Sequence, residues 1–167
     1  MSLTCCAPQL SPHYEVEISS KFTPEQQSKI IDALEEWKVK TSCVEYSAHL
    51  VDELSNPMQH VDFIEIGFDT VRPQALATTM HWMQLNSSFV RMSSYNPTTI
   101  SEERFEQIVK HELGHAFGLH HPTGPEHARS IMSVTTEGYS DSVTPEDIER
   151  FDDVWHCVKF GENAEGK

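Results

Sequence analysis

Basic residues are scarce. The 167-residue chain carries 12 Lys and Arg against 26 Asp and Glu, a formal net charge of −14 with histidine neutral. A surface of that sign repels phosphate backbones and anionic headgroups, so neither nucleic acid nor membrane is an expected partner. Long apolar runs are absent as well, which excludes a spanning helix of roughly twenty apolar residues. No charged start followed by an apolar core marks a signal peptide, and if Met1 is the native start the chain is expected in the cytoplasm. The cysteines are only Cys5, Cys6, Cys43 and Cys157, with no C-x-x-C, so a cysteine-paired zinc site is not expected. Cys43 and Cys157 either pair or stay as buried thiols. Hydrophobic content is 38%, low but enough at this length for one core. The expectation is a single monomeric domain over 1–167, with 1–12 an extended lead and 161–167 a mobile tail.

Histidine is what the chain has, and four of its ten histidines fall in one stretch. His111-Glu112-Leu113-Gly114-His115-Ala116-Phe117-Gly118-Leu119-His120-His121 reads H-E-x-x-H-x-x-G-x-x-H. Two histidines four apart on a helix project from one face, one turn apart, so both imidazoles can reach one small cation. Zinc suits neutral imidazole nitrogen. Gly118 can adopt the left-handed conformation that ends a helix, which places His121 to supply a third ligand from another direction. Three protein ligands leave a fourth position for water, the arrangement of a catalytic site. Glu112 is not needed as a ligand and is placed to act as general base.

The rest of the chain reads as α+β. Tyr14, Val16 and Ile18 alternate with polar residues, as in a half-buried strand. Thr23-Pro24-Glu25-Gln26 opens a helix, with Ile30, Leu34 and Trp37 as its apolar stripe. Val44 to Leu50 gives a second strand, and Val61 to Phe68 a third in which Ile64 points to burial on both faces or to a bulge. Ala75 to Met83 is a fourth, Leu85-Asn86-Ser87-Ser88 a turn, and Phe89 to Met92 the start of a fifth. Thr99 and Glu102 fit a capping box for the main helix. Its Phe105, Ile108, Val109, Leu113 and Ala116 form one apolar face, and His111 and His115 fall on the other. Thr144-Pro145-Glu146-Asp147 starts a last helix with Ile148, Phe151, Trp155 and Val158 as its stripe.

The metal motif followed by Ser130-Ile131-Met132-Ser133 resembles the metzincin zinc metalloproteases, and matrixin-like catalytic domains in particular. In that family a similar Ser-Ile-Met run passes beneath the zinc, so Met132 is expected to be an apolar floor and not a ligand. The resemblance covers nearly the whole chain. It implies a zincin fold with a twisted mixed sheet of about five strands and three helices. It also implies one catalytic Zn2+, a peptide or protein substrate, and secretion. Extended substrate would pair with the fourth strand as a sheet edge, near Ala77, Thr79, His81 and Trp82. The segment after Met132, with Ser133, Val134, Thr135, Thr136 and Tyr139, would shape the pocket just past the cleaved bond.

The chain also departs from relatives within that family. Val134 stands where astacin-like and serralysin-like members place a tyrosine, leaving Tyr139 as the candidate for a related role. The stretch between the third and fourth strands lacks the histidine- and aspartate-rich loop of matrixins, so structural calcium is not indicated. Thr4-Cys5-Cys6-Ala7-Pro8 does not resemble the matrixin switch motif. Three functions compete: a zinc endopeptidase, a metzincin aminopeptidase, and an inactive zinc-binding module that captures peptides. The aminopeptidase group has cysteines closely following its third histidine, and here none follows until Cys157.

Overall fold

The computed structural model describes residues 13–69, 76–93, 100–124, 129–133 and 140–155. The lead at 1–12 and the tail at 161–167 lie outside that set, as do Cys5, Cys6 and Cys157. Cys43 is disulfide-bonded. The elements are β1 (His13–Ser19), α1 (Pro24–Thr41), β2 (Glu45–Val51), a 3-10 turn at Pro57–Gln59, β3 (Phe63–Asp69), β4 (Ala77–Trp82), β5 (Ser87–Ser93), α2 (Glu102–Ala116) and α3 (Pro145–Trp155). Among the described residues no helix is long and apolar enough to cross a membrane.

The five strands form one sheet in the order β2-β1-β3-β5-β4. The first four are parallel and β4 runs antiparallel to β5 at the edge. Strand alternation explains which side is buried. Tyr14, Val16 and Ile18 on β1, with Ile64 and Ile66 on β3 and Val90 and Met92 on β5, face the helices and are almost wholly inaccessible. Phe63 and Glu65 are buried on the opposite face, which bears out the reading of β3 as covered on both sides. Leu50 alternates correctly but is 57% exposed, because β2 is the other edge.

α1 begins as its sequence predicts. Gln26 N donates to Thr23 Oγ1 at 3.2 Å, and Thr23 N to Gln26 Oε1 at 3.0 Å. Ile30, Ala33, Leu34 and Trp37 form its buried stripe. α1 lies beside α2, tied by Trp37 Nε1 donating to Lys110 O at 3.0 Å. Beside that bond Lys110 is paired with Glu36 and Glu106, at 2.7 and 2.6 Å.

Two local expectations are corrected. Ser87 and Ser88 are strand residues of β5, not turn residues; the turn is Met83–Asn86, with Asn86 at φ 49°. Both serines are fully buried, on opposite faces of the sheet: Ser88 faces α2 and its hydroxyl donates to Ala116 O at 3.2 Å, while Ser87 lies on the other face, beside Phe63 and Trp82. The cap of α2 is Ser101, whose Oγ accepts from Arg104 N at 3.2 Å. Glu102 is therefore the first helical residue and cannot close a box with Thr99, which lies outside the described residues.

Candidate active site

α2 packs its apolar residues on the sheet and α1, with Glu112 aimed at the edge strand β4 and His111 at the turn through Ile131. The helix ends in a Schellman motif. Gly118 sits at φ 87°, its N–H bonds His115 O at 2.9 Å, and Leu119 N–H bonds Gly114 O at 2.9 Å. A side chain at that φ would be strained, which is why glycine stands there. The reversal brings His121 back over the helix. Its Nε2 lies 3.1 Å from His111 Nε2 and 2.9 Å from His115 Nε2.

The tautomers follow from the partners. His111 Nδ1 is 2.8 Å from Ile131 O, and His115 Nδ1 is 2.7 Å from Leu119 O. A carbonyl only accepts, so both Nδ1 atoms carry the proton and both Nε2 atoms present a lone pair toward His121. Burial holds all three imidazoles below the ordinary histidine range, His115 down to about 4 with the Leu119 carbonyl opposing. They are therefore neutral at neutral pH. Converging lone pairs repel unless a cation or proton lies among them. Zinc at about 2.0–2.1 Å from each nitrogen in a tetrahedron needs nitrogens about 3.3–3.4 Å apart. The observed spacing is within half an ångström of that at the two closest pairs, and His111, His115 and His121 form the metal-capable group among the described residues. The donor set fits zinc.

Glu112 is buried beside this group. Its Oε2 accepts from Thr79 Oγ1 at 2.6 Å, and the same hydroxyl lies 3.1 Å from Glu112 O. Burial pushes the Glu112 carboxyl up to about 7, and the Thr79 bond opposes that rise.

Beneath the histidines lies the turn through Ser130 to Ser133. Met132 is fully buried. A Cβ on Gly114 would fall inside the van der Waals shell of Met132 Sδ, with Met132 Cε at 3.1 Å and Trp37 Cζ2 at 3.2 Å. The turn is held from α3 by Asp147, which is inaccessible to solvent. Asp147 accepts from Ser130 Oγ at 2.5 Å and Ile131 N at 3.1 Å, and also from Thr144 N at 2.9 Å and Thr144 Oγ1 at 2.6 Å. One carboxylate thus caps α3 and anchors the backbone N–H of Ile131, the residue whose carbonyl orients His111. In the sequence Asp147 stands out only as part of a helix start and Gly114 only as an unspecified position of the metal motif. The available signals were a glycine inside a helix, which costs about 1 kcal/mol relative to alanine, and the T-x-x-D cap pattern.

The other predicted residues are placed as follows. β4 is a sheet edge, as expected, and Ala77 is half-buried on it. Thr79 turns its side chain to Glu112. His81 Nδ1 meets Ser88 Oγ at 2.8 Å, and Trp82 packs edge-on against Phe89 at 5.2 Å, so both are committed to β5. His120 is exposed, and its carbonyl accepts from Arg150 Nη2. Val134, Thr135, Thr136 and Tyr139 lie outside the described residues. A cleft of about 1010 Å3 runs from His115 past Thr79, His81, Leu119 and His120 toward Val154 and Trp155.

No protein-family model matches the chain, and no curated protein matches its sequence. Solved structures do match its shape. A hatching-enzyme zinc-protease of the medaka Oryzias latipes, high choriolytic enzyme 1, superposes with a TM-score of 0.57 at 16% identity, over 87% of this chain and 90% of that one. An archaemetzincin from Methanopyrus kandleri gives 0.57 at 13% identity, over 90% of this chain and 99% of that one. Myroilysin gives 0.55 at 16% identity, over 87% and 93%. The fold is metzincin-like. The likeness extends across metzincin-type zinc proteases and does not single out the matrixin-like ones.

Proposed function

We propose that this metzincin-like domain is a zinc-dependent endopeptidase, with His111, His115 and His121 holding the ion and Glu112 as general base. The observation that carries it is the convergence of three neutral imidazole nitrogens beside a buried carboxylate on one helix end. Zinc bound there supplies Lewis-acid polarisation of water and of the scissile carbonyl. Glu112 takes a proton from the water as its oxygen bonds to the carbonyl carbon, then delivers a proton to the amine as the C–N bond breaks. The open edge of β4 supports pairing with an extended peptide or protein substrate. No cysteine follows His121 before Cys157, which favours this reading over an aminopeptidase.

The test is cleavage of a mixed library of N-terminally blocked peptides by the zinc-loaded protein, before and after chelation. Internal cuts that stop on chelation are expected. Glu112→Gln should keep its zinc and lose turnover by about 10²–10⁴-fold. Near-normal hydrolysis by a metal-replete Glu112→Gln protein would refute the assignment, and retention of uncut peptides by the wild type would indicate capture instead.

A further inference from the structure

We infer that Thr79 is a positioning residue for Glu112: the edge strand supplies the hydroxyl that aims the general base. This rests on the reading of Glu112 as the base. Thr79 is on β4 and Glu112 on α2, 33 residues apart in the chain, yet Thr79 Oγ1 stands 2.6 Å from Glu112 Oε2. The distance is short for a hydroxyl–carboxylate pair and belongs to the stronger, charge-assisted kind of hydrogen bond. Alternation along β4 dictates the aim. Thr79 pairs with Val90 and His81 with Ser88, on the face where Val90 and Ser88 are fully buried under α2. Met80, between them, points to the other side and is exposed.

A glutamate carboxyl on a helix can swing about its side-chain torsions. Holding Oε2 on a strand fixes the plane in which the other oxygen works. The second short distance, 3.1 Å from Thr79 Oγ1 to Glu112 O, gives the hydroxyl an alternative acceptor on the same residue. It therefore keeps a partner while Glu112 gains and releases a proton during turnover. Thr79 itself forms and breaks no covalent bond. The same strand offers its free edge to substrate, so the element proposed to bind the peptide also orients the group that cleaves it.

The test compares Thr79→Val, which keeps the shape and removes the hydroxyl, with Thr79→Ser, which keeps the hydroxyl. Both should retain full zinc stoichiometry. Thr79→Val should lose about 10–100-fold in kcat with KM little changed, the range found when partners that orient a metal site are removed. Thr79→Ser should recover most of it. A second readout needs neither zinc nor activity: the Thr79 hydroxyl proton, sheltered by the carboxylate, should give a slowly exchanging NMR resonance that Glu112→Gln shifts and Thr79→Val abolishes. Equal losses in Thr79→Val and Thr79→Ser, full kcat in Thr79→Val, or a resonance indifferent to Glu112→Gln would each overturn the inference. A zinc-loaded wild type that cuts nothing refutes the endopeptidase reading instead, and the resonance still decides whether Thr79 holds Glu112.

Discussion

At the residue scale the site depends on one atom that is missing. Gly114 has no Cβ, and that gap lets Met132 lie directly under the helix turn between His111 and His115. Replacing a helix-interior glycine by alanine ordinarily gains about 1 kcal/mol. Here the methyl would meet Met132 and Trp37, both fully buried, and overpacking of this kind costs about 1–3 kcal/mol. Gly114→Ala should therefore lower the urea midpoint of the metal-free protein, and adding Met132→Ala should remove the clash and lessen the penalty for Gly114→Ala. Met132→Leu alone conserves volume and should cost under about 1.5 kcal/mol. A midpoint raised by Gly114→Ala would contradict this account. The H-E-x-x-H-x-x-G-x-x-H run was legible in the sequence because helix pitch and one glycine set its geometry within eleven residues. The need for glycine at position 114 was not, because it comes from a methionine eighteen positions later.

At the scale of elements the site is a junction of α2, β4, the turn at 130–133 and α3. Asp147 is the link from α3. Asp147→Asn puts an amide nitrogen in place of one of two oxygens, Oδ1 accepting from Ser130 and Oδ2 from Ile131 and Thr144. A buried donor facing donors costs about 1–3 kcal/mol. The Ile131 peptide also loses its anchor, so zinc affinity should fall by about 10–100-fold. Calorimetry of the metal-free protein and zinc titration against a chelator measure the two effects; unchanged zinc affinity would show that α3 does not orient His111. Strand and helix existence was legible because apolar periodicity is local. The ends were less so: Ser87 and Ser88 look like a turn until β3 pairs with them and α2 covers Ser88, and Ser101, not Thr99, caps α2. The contacts of Thr79 and Asp147 depend on how distant elements dock, which no local pattern encodes.

For the whole molecule, acid acts on the site through the imidazoles. An unfolded histidine takes its proton near about 6.5, whereas burial holds all three lower in the fold, His115 at about 4. Depressed histidines give stability that is present above the unfolded value and is lost as pH falls from about 6.5 toward 4. Glu112 has the opposite sign: its carboxyl is raised to about 7, so its contribution is present at low pH and lost as pH rises through the unfolded carboxyl range to about 7. Protons also compete with zinc for three nitrogens together, so zinc should leave steeply on acidification, with activity falling alongside. Chelation at neutral pH should leave the fold intact, because the sheet and helices share a core that does not include the metal. Parallel titration of bound zinc, activity and ellipticity checks this; global unfolding on chelation, or activity outlasting zinc, would contradict it.

The strand order has a kinetic consequence. β4 and β5 form a hairpin across Met83–Asn86, a local closure that takes microseconds in isolation, on the order of 1–10 μs. The β3–β5 pairing is parallel and must thread the whole hairpin onto the sheet with its β5 side inward. Such non-local parallel pairing is slow. In pulse-labelled hydrogen exchange during refolding, amides of the β4–β5 ladder should gain protection before those between β3 and β5; the reverse order would contradict this sequence of events. Because Thr79 rides on the outer strand of that hairpin, it reaches Glu112 only when the hairpin docks. The contact between Thr79 and Glu112 therefore forms late, when the backbone around it is already paired.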